Sequence, residues 1–283
     1  MGTAAECWKM VRVPLLLLLG GYVAFVVIAR LLVPGSLYFP RVGSFRAPAG
    51  LRTLAAADGS KIAVLHLPNP SARFTLWFFH GNAEDLGDVE PMLHALHDLG
   101  FAVFACDYPG YGHSTGRPSE KSLYTAARTA RTYLRGELNV SPDRTMIYGR
   151  SLGGGPAVQM ASEERVGGLV LQSAFTSVYR VVTRWPLLPF DAFQNERKLA
   201  QVSCPVLVMH GGADEVIPFH HGEALFAAAR EPKRHLWVPA AQHNDFTTAA
   251  GPGFATALRE FSELCAQSAD SNHGAGSPDQ KLR

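Results

Sequence analysis

The sequence predicts an α/β fold in which a mostly parallel, eight-stranded sheet is flanked by helices. Three observations predict it. Eight short, apolar, β-prone runs recur along the chain, and helix-like stretches separate most of them. One run, 145–148, leads into Gly149-Arg150-Ser151-Leu152-Gly153, a serine framed by glycines and followed by the small residues of a helix start. That context is what a nucleophile elbow requires, because a serine lifted above a sheet on a tight turn needs neighbours without side chains.

The elements follow in order. Residues 1–12 are a short leading segment carrying Lys9 and Arg12, and 13–33 are an apolar run broken by Gly20, Gly21, Tyr22 and a late Arg30. At 1.5 Å rise per residue such a run spans the ~30 Å hydrocarbon core of a bilayer. It is expected to be an uncleaved, single-pass transmembrane signal anchor. A cleaved signal peptide is the competing reading, although Ile28-Ala29-Arg30-Leu31-Leu32 makes a poor cleavage site. The side of the membrane stays open, since Lys9 and Arg12 before the run face Arg41, Arg46 and Arg52 after it. Residues 34–50 read as a juxtamembrane linker that places Tyr38 and Phe39 near the headgroups.

The main domain is expected over 51–268. A hairpin joined by Asp58-Gly59 comes first, with strands at 51–56 and 61–67. Further strands are expected at 74–79, 102–107, 145–148, 168–172, 205–210 and 235–239. The helices between and after them are expected at 89–99, 120–135, 157–164, 222–229 and 255–265. Only about thirty residues separate the strands at 168–172 and 205–210, so any cap over the site is small. In that insertion Val181, Val182, Trp185, Leu187, Leu188 and Phe190 either line an acyl groove or pack as an ordinary core. Residues 269–283, rich in Ser, Gly, Asp, Asn and Pro, read as a disordered tail.

Bulk properties narrow the function. Apolar residues make up 47% of the 283-residue chain and charged residues 18%, a globular composition. The net charge of +2, with Lys and Arg dispersed, argues against nucleic acid as a ligand. Cys7, Cys106, Cys204 and Cys265 show neither a zinc-ligand spacing nor a disulfide framework, and Cys106 and Cys204 lie in or beside apolar strands. The adjacent His220 and His221 lack further ligands at useful spacing, so no metal site is expected, and no cofactor.

A serine hydroxyl is a weak nucleophile and needs a histidine to take its proton and a carboxylate to orient that histidine. Asp214 follows the strand at 205–210, and His243 follows the last strand. The order Ser151, Asp214, His243 is that of the α/β-hydrolase fold. Asp245 competes as the acid but would have to fold back over two residues. His80 and His210 each precede a glycine at a strand end and read as loop-shaping side chains. The oxyanion formed in acyl transfer needs preorganised donors. The backbone N–H groups of Leu152, at a helix start, and of Asn82, in His80-Gly81-Asn82-Ala83, are expected to supply them.

These segments, with Asp107-Tyr108-Pro109-Gly110-Tyr111-Gly112-His113-Ser114 and His210-Gly211-Gly212-Ala213-Asp214-Glu215-Val216-Ile217-Pro218, resemble the α/β-hydrolase superfamily over residues 50–266. Asp191-Ala192-Phe193-Gln194-Asn195 and His243-Asn244-Asp245 make the chain most similar to the BEM46-like, membrane-associated serine hydrolases, which are related to protein depalmitoylases. The resemblance implies Ser151 as nucleophile, His243 as base, Asp214 as acid, and Asn82 with Leu152 as oxyanion donors. It implies hydrolysis of an ester, a thioester or an amide through an acyl-enzyme. Depalmitoylases of that branch carry an N-terminal cluster of acylated cysteines, where this chain has Cys7 and an apolar run, so protein depalmitoylation does not follow. An aminopeptidase-like serine peptidase and a non-catalytic binding protein of the same fold remain as alternatives.

Overall fold

The computed structural model describes residues 4–40, 47–183, 185 and 187–274. Eight strands form one sheet: β1 (Arg52–Ala55), β2 (Lys61–Leu67), β3 (Thr75–Phe79), β4 (Ala102–Cys106), β5 (Thr145–Arg150), β6 (Gly168–Gln172), β7 (Val206–Gly211) and β8 (Lys233–Val238). Their spatial order is β1-β2-β4-β3-β5-β6-β7-β8. The β1–β2 and β2–β4 pairs are antiparallel and the rest are parallel, which puts the expected hairpin at one edge of the sheet.

Apart from the edge strand β8, whose residues are exposed or half-buried, the parallel strands are buried on both faces, which explains why they read as continuous apolar runs. In β3, Trp77 and Phe79 enter one core while Leu76 and Phe78 enter the other. Helices α2 (Leu86–Asp98) and α9 (Pro252–Gly274) flank the sheet, as do α3 (Glu120–Gly136), α4 (Gly154–Glu163) and α7 (His220–Ala228). Helix α2 starts three residues before the expected 89 because Asp85 caps it, accepting the Gly87 and Asp88 N–H groups. Three short helices were not anticipated: α5 (Val178–Val182) and α6 (Asn195–Leu199) in the cap, and α8 (Phe246–Ala250) after the last strand.

Helix α1 (Ala4–Ser36) precedes the sheet. Its stretch Arg12–Leu31 has mean hydropathy 2.1 and is long and apolar enough to cross a membrane, and only 6% of it is buried. A core helix of that composition would be covered on all sides.

Two expectations are corrected. The helix runs to Ser36, into the linker expected from 34, and Tyr38 is buried in the protein core instead of lying among headgroups. Its ring meets Phe193 edge-on at 6.5 Å. Residues 41–46, with Arg41 and Arg46, lie outside the described residues. At the other end α9 continues to Gly274, past Ala269 where the polar tail was expected to begin, and 275–283 lie outside the described residues.

Candidate active site

The parallel strands end on one edge of the sheet, and the loops that leave them there carry the polar residues singled out from the sequence. Ser151 follows β5 directly. Its φ of +50° is in the left-handed region, which costs energy for a residue with a side chain and is held only by tight surroundings. Those surroundings forbid side chains at the flanking glycines. A Cβ on Gly153 would stand 2.1 Å from the Phe79 carbonyl oxygen, and one on Gly149 would stand 2.6 Å from the Ala157 Cβ.

The His243 Nε2 lies 3.0 Å from Ser151 Oγ, and its Nδ1 lies 2.8 Å from Asp214 Oδ2. The three side chains are nearly buried. The other oxygen of Asp214 accepts the Val216 N–H at 3.0 Å and the Ile217 N–H at 2.7 Å. Burial works to raise the Asp214 pKa, but the bonds from His243 and the Ile217 N–H outweigh it and hold the carboxyl below its ordinary value. Asp245 instead accepts the Gln242 N–H at 2.7 Å and shapes the turn before His243. His210 lies 2.8 Å from the Ile217 carbonyl and closes the loop that carries Asp214.

The loop after β3 faces Ser151, since a Cβ on Gly81 would come 3.6 Å from the serine Cβ. Its amides are already sorted. Glu84 takes the Gly81 N–H at 2.7 Å, and His80 Nδ1 lies 2.8 Å from the Gly81 carbonyl. The Gly81–Asn82 peptide is thereby pinned, and among the described residues no acceptor takes the Asn82 N–H. Leu152 lies in the first turn after Ser151, where amides have no intrahelical acceptor. Burial opposes protonation of His80, but the Asp107 carboxylate, 3.5 Å from Nε2, overcomes this and holds the ring's pKa above its ordinary value.

Sequence reasoning missed the residues that tie these loops together. Arg150 pairs with Glu84 and reaches the Asn244 side chain at 3.4 Å, linking the elbow to the loops of Gly81 and of His243. The Asn82 side chain accepts from the Phe39 N–H at 3.0 Å and from the Tyr111 hydroxyl, and donates to the Leu37 carbonyl at 2.8 Å. It clasps the segment leaving α1. Arg150 and Asn244 stand beside Ser151 and His243 in the chain, which is the only trace the sequence gives of this role.

The free cysteines among the described residues are buried and do not offer a thiolate. Burial pushes the Cys106 and Cys204 thiols up to about 12, so they stay protonated. Among the described residues no group of three or more His, Cys, Asp or Glu side chains could hold a metal ion. In the cap, Trp185, Leu187, Leu188 and Phe190 border a cavity, whereas Val181 packs against the core. The side chain of Val182 lies outside the described residues.

Comparison with known proteins agrees with this architecture. A family model described as the alpha/beta hydrolase fold matches residues 75–199. The chain is 41% identical over 203 residues to the alpha/beta hydrolase domain-containing protein aho-3 of Caenorhabditis elegans, covering 70% of this chain and 60% of that protein. It is 40% identical over 193 residues to the human alpha/beta hydrolase domain-containing protein 17B, covering 67% of each. The chain thus spans about two thirds or less of the length of these relatives. An uncharacterised Mycobacterium tuberculosis protein is 37% identical over 239 residues, with 80% of this chain and 85% of that one covered. Among solved structures, a Pyrococcus furiosus esterase superposes with a TM-score of 0.68 at 16% identity, covering 80% of this chain and 98% of the esterase. A monoacylglycerol lipase of Paleococcus ferrophilus gives 0.57 at 20% identity, covering 72% and 99%. At such identities the likeness is one of fold.

Proposed function

The chain belongs to the α/β-hydrolase family, and from that premise we propose that it is a membrane-anchored serine hydrolase acting on an ester or thioester through an acyl-enzyme. The observation that carries this reading is the unbroken hydrogen-bonded line from Asp214 through His243 to Ser151. Asp214 holds the Nδ1–H tautomer of His243, which leaves Nε2 free to accept the serine proton. Ser151 Oγ then bonds to the substrate carbonyl carbon, and the charge moving onto the carbonyl oxygen meets the Asn82 and Leu152 N–H groups. Such donors contribute a few kcal/mol each, about 2.7–4 where measured by removal. Collapse of this intermediate breaks the bond to the leaving alcohol or thiol, which takes the proton from His243 Nε2. Water, deprotonated in turn by His243, attacks the acyl-serine; the Oγ–acyl bond breaks to release the acid, and His243 Nε2 returns the proton to Ser151 Oγ.

Helix α1 supplies the anchor in this reading. Its exposed apolar surface and length support membrane seating, with Arg30 near one end able to reach the interface. A peptidase that binds a free amino terminus would need an uncompensated carboxylate by Ser151. Glu84, which faces the Ser151 loop, is instead taken by Arg150 and the Gly81 N–H.

The test is labelling with a fluorophosphonate probe in membranes, followed by p-nitrophenyl esters of graded chain length and aminoacyl amides. Labelling that disappears in Ser151→Ala, with esters preferred over amides, is expected. Folded wild-type protein that takes no label overturns the proposal and leaves a non-catalytic binding role.

A further inference from the structure

Helix α1 does not stand clear of the domain. The Tyr22 hydroxyl donates to the Leu187 carbonyl at 3.1 Å, and the Arg30 guanidinium lies 5.2 Å over the Phe190 ring. Phe25 and Ala29 form one wall of a cavity of about 580 Å³ whose other lining residues come from the cap, Thr176, Arg180, Leu188 and Arg197 among them. That volume is in the range of small-molecule sites, ~300–1,000 Å³. All four helix residues fall inside the apolar span Arg12–Leu31. Measured along the helix, Tyr22 lies about 14 Å from Leu31 at 1.5 Å per residue. Tilting the helix shortens that depth without bringing Tyr22, Phe25 and Ala29 out of the span. If α1 is seated in a bilayer, Leu187 beside Tyr22 shares the acyl layer, and Phe190 under Arg30 lies at its edge.

The cap has the surface for that position. Trp185 is 74% exposed and Leu187 50%, next to the half-buried Leu188 and Phe190. Exposed large apolar groups so close together are unusual on a water-facing surface. The cavity also has two unlike ends. Arg180, Asp191, Glu196 and Arg197 border adjoining polar hollows as well, while Phe25, Ala29, Trp185, Leu187, Leu188 and Phe190 border this cavity alone. A polar end continuous with an apolar, bilayer-facing end fits an amphiphile. Ser151 and His243 are not in its lining, so the reacting carbonyl does not sit in it.

We propose that Trp185, Leu187, Leu188 and Phe190 form one lipid-embedded surface with the second half of α1, and that the cavity between them receives the acyl chain of a membrane-resident substrate. This rests on the membrane-anchored hydrolase reading and adds where the tail of its substrate is held, between α1 and the cap on the bilayer-facing side. The Tyr22 to Leu187 bond serves the same arrangement, since a carbonyl placed in hydrocarbon needs a donor from within the protein.

The test uses the full chain in phosphatidylcholine vesicles with brominated acyl chains. The chain has four tryptophans, so the emission of wild type minus that of Trp185→Phe isolates Trp185. That difference is expected to be quenched by the brominated lipid, and an unquenched difference overturns the embedded surface. In the second arm Ala29→Trp fills the cavity. The ratio of p-nitrophenyl palmitate to p-nitrophenyl butyrate turnover is expected to fall at least about tenfold, the effect of steric overfilling in a pocket. An unchanged ratio overturns the acyl site. The milder Ala29→Leu repeats this arm should the tryptophan prevent folding. Failure of the underlying reading looks different. A chain that washes off vesicles at alkaline pH removes the anchor and this inference together, whereas a chain that hydrolyses neither ester but still shows Trp185 quenching keeps the surface and removes the hydrolase.

Discussion

Replacing Asp214 with asparagine separates the chemistry of the site from its packing. Asparagine has almost the shape of aspartate, and its surroundings dictate which way the amide lies. The Val216 and Ile217 N–H groups both point at Oδ1, at 3.0 and 2.7 Å, so the amide oxygen must occupy that position. The NH2 then faces His243 Nδ1 at the place now held by Oδ2. A donor there makes Nδ1 an acceptor and moves the ring proton to Nε2, 3.0 Å from Ser151 Oγ. The base then presents a hydrogen to the hydroxyl it should deprotonate. A wrong tautomer of this kind costs roughly 10⁴ in kcat, about 5.5 kcal/mol at ~1.4 kcal/mol per tenfold.

Stability should change far less, because both backbone donors keep their acceptor. Asp214→Ala provides the contrast. It strands the Ile217 N–H, whose residue is 5% exposed, while the N–H of Val216, 47% exposed, can turn to water. One buried unpaired donor predicts an added cost of about 1–3 kcal/mol. Steady-state hydrolysis of p-nitrophenyl butyrate and denaturant unfolding measure the two quantities on the same preparations. The reasoning is refuted if Asp214→Asn keeps more than about a tenth of wild-type kcat, or if Asp245→Asn does equal damage.

Three further predictions address the scaffold and its response to pH. Gly153→Ala drives a Cβ to 2.1 Å from the Phe79 carbonyl and 2.7 Å from that of His80, pushing away the loop that carries Asn82. A stability loss of about 1–3 kcal/mol together with loss of kcat is expected. Gly136→Ala at the end of α3, with nothing within 4 Å of its Cβ, is expected to be neutral or to stabilise by up to ~1 kcal/mol in the same unfolding assay. For pH, burial lowers the His221 pKa from 6.5 to about 4, so between those values the unfolded chain binds the extra proton and stability falls as pH falls. The lowered carboxyl of Asp214 extends the decline, since its contribution is complete above the ordinary carboxylate pKa near 4 and is lost as pH drops through the folded value. Midpoints of urea unfolding between pH 8 and 3 should show less slope above pH 4 in His221→Gln, and an unchanged slope there sinks the assignment.

The middle of the sheet was legible because β3 to β7 are buried on both sides. That makes each a dense apolar run, and β1 and β2 announced themselves through Asp58-Gly59, where Gly59 takes φ +82°. Ser151, Asp214, His243 and Asn82 were legible because each follows a strand end within a few residues, so position along the chain fixed position in space. What escaped was set by distant partners. Glu84 and Arg150 pair across 66 residues, Arg150 and Asn244 across 94, and neither pair leaves a local pattern. Tyr38 was misplaced for a related reason. An aromatic after an apolar span suits a headgroup layer, and only the fold shows Phe193 beside it and Asn82 holding Leu37 and Phe39 on either side.

These distant ties explain why residues from four loops keep one geometry. β7 and β8 are neighbours, and the Gly212 and Ala213 N–H groups donate across to the Val238 and Ala241 carbonyls, at 2.9 and 3.1 Å. That fastens the Asp214 loop to the chain entering His243, and a Cβ on Gly211 would lie 2.2 Å from the same Ala241 carbonyl. On the other flank Glu84 and Arg150 join the Asn82 loop to Ser151. Asn244, in reach of Arg150, closes the circuit from β3 through β5 to β8. Each loop is therefore held by its strand and by another loop. This is the over-determination that a serine at φ +50° requires, since a strained residue relaxes wherever its surroundings let it.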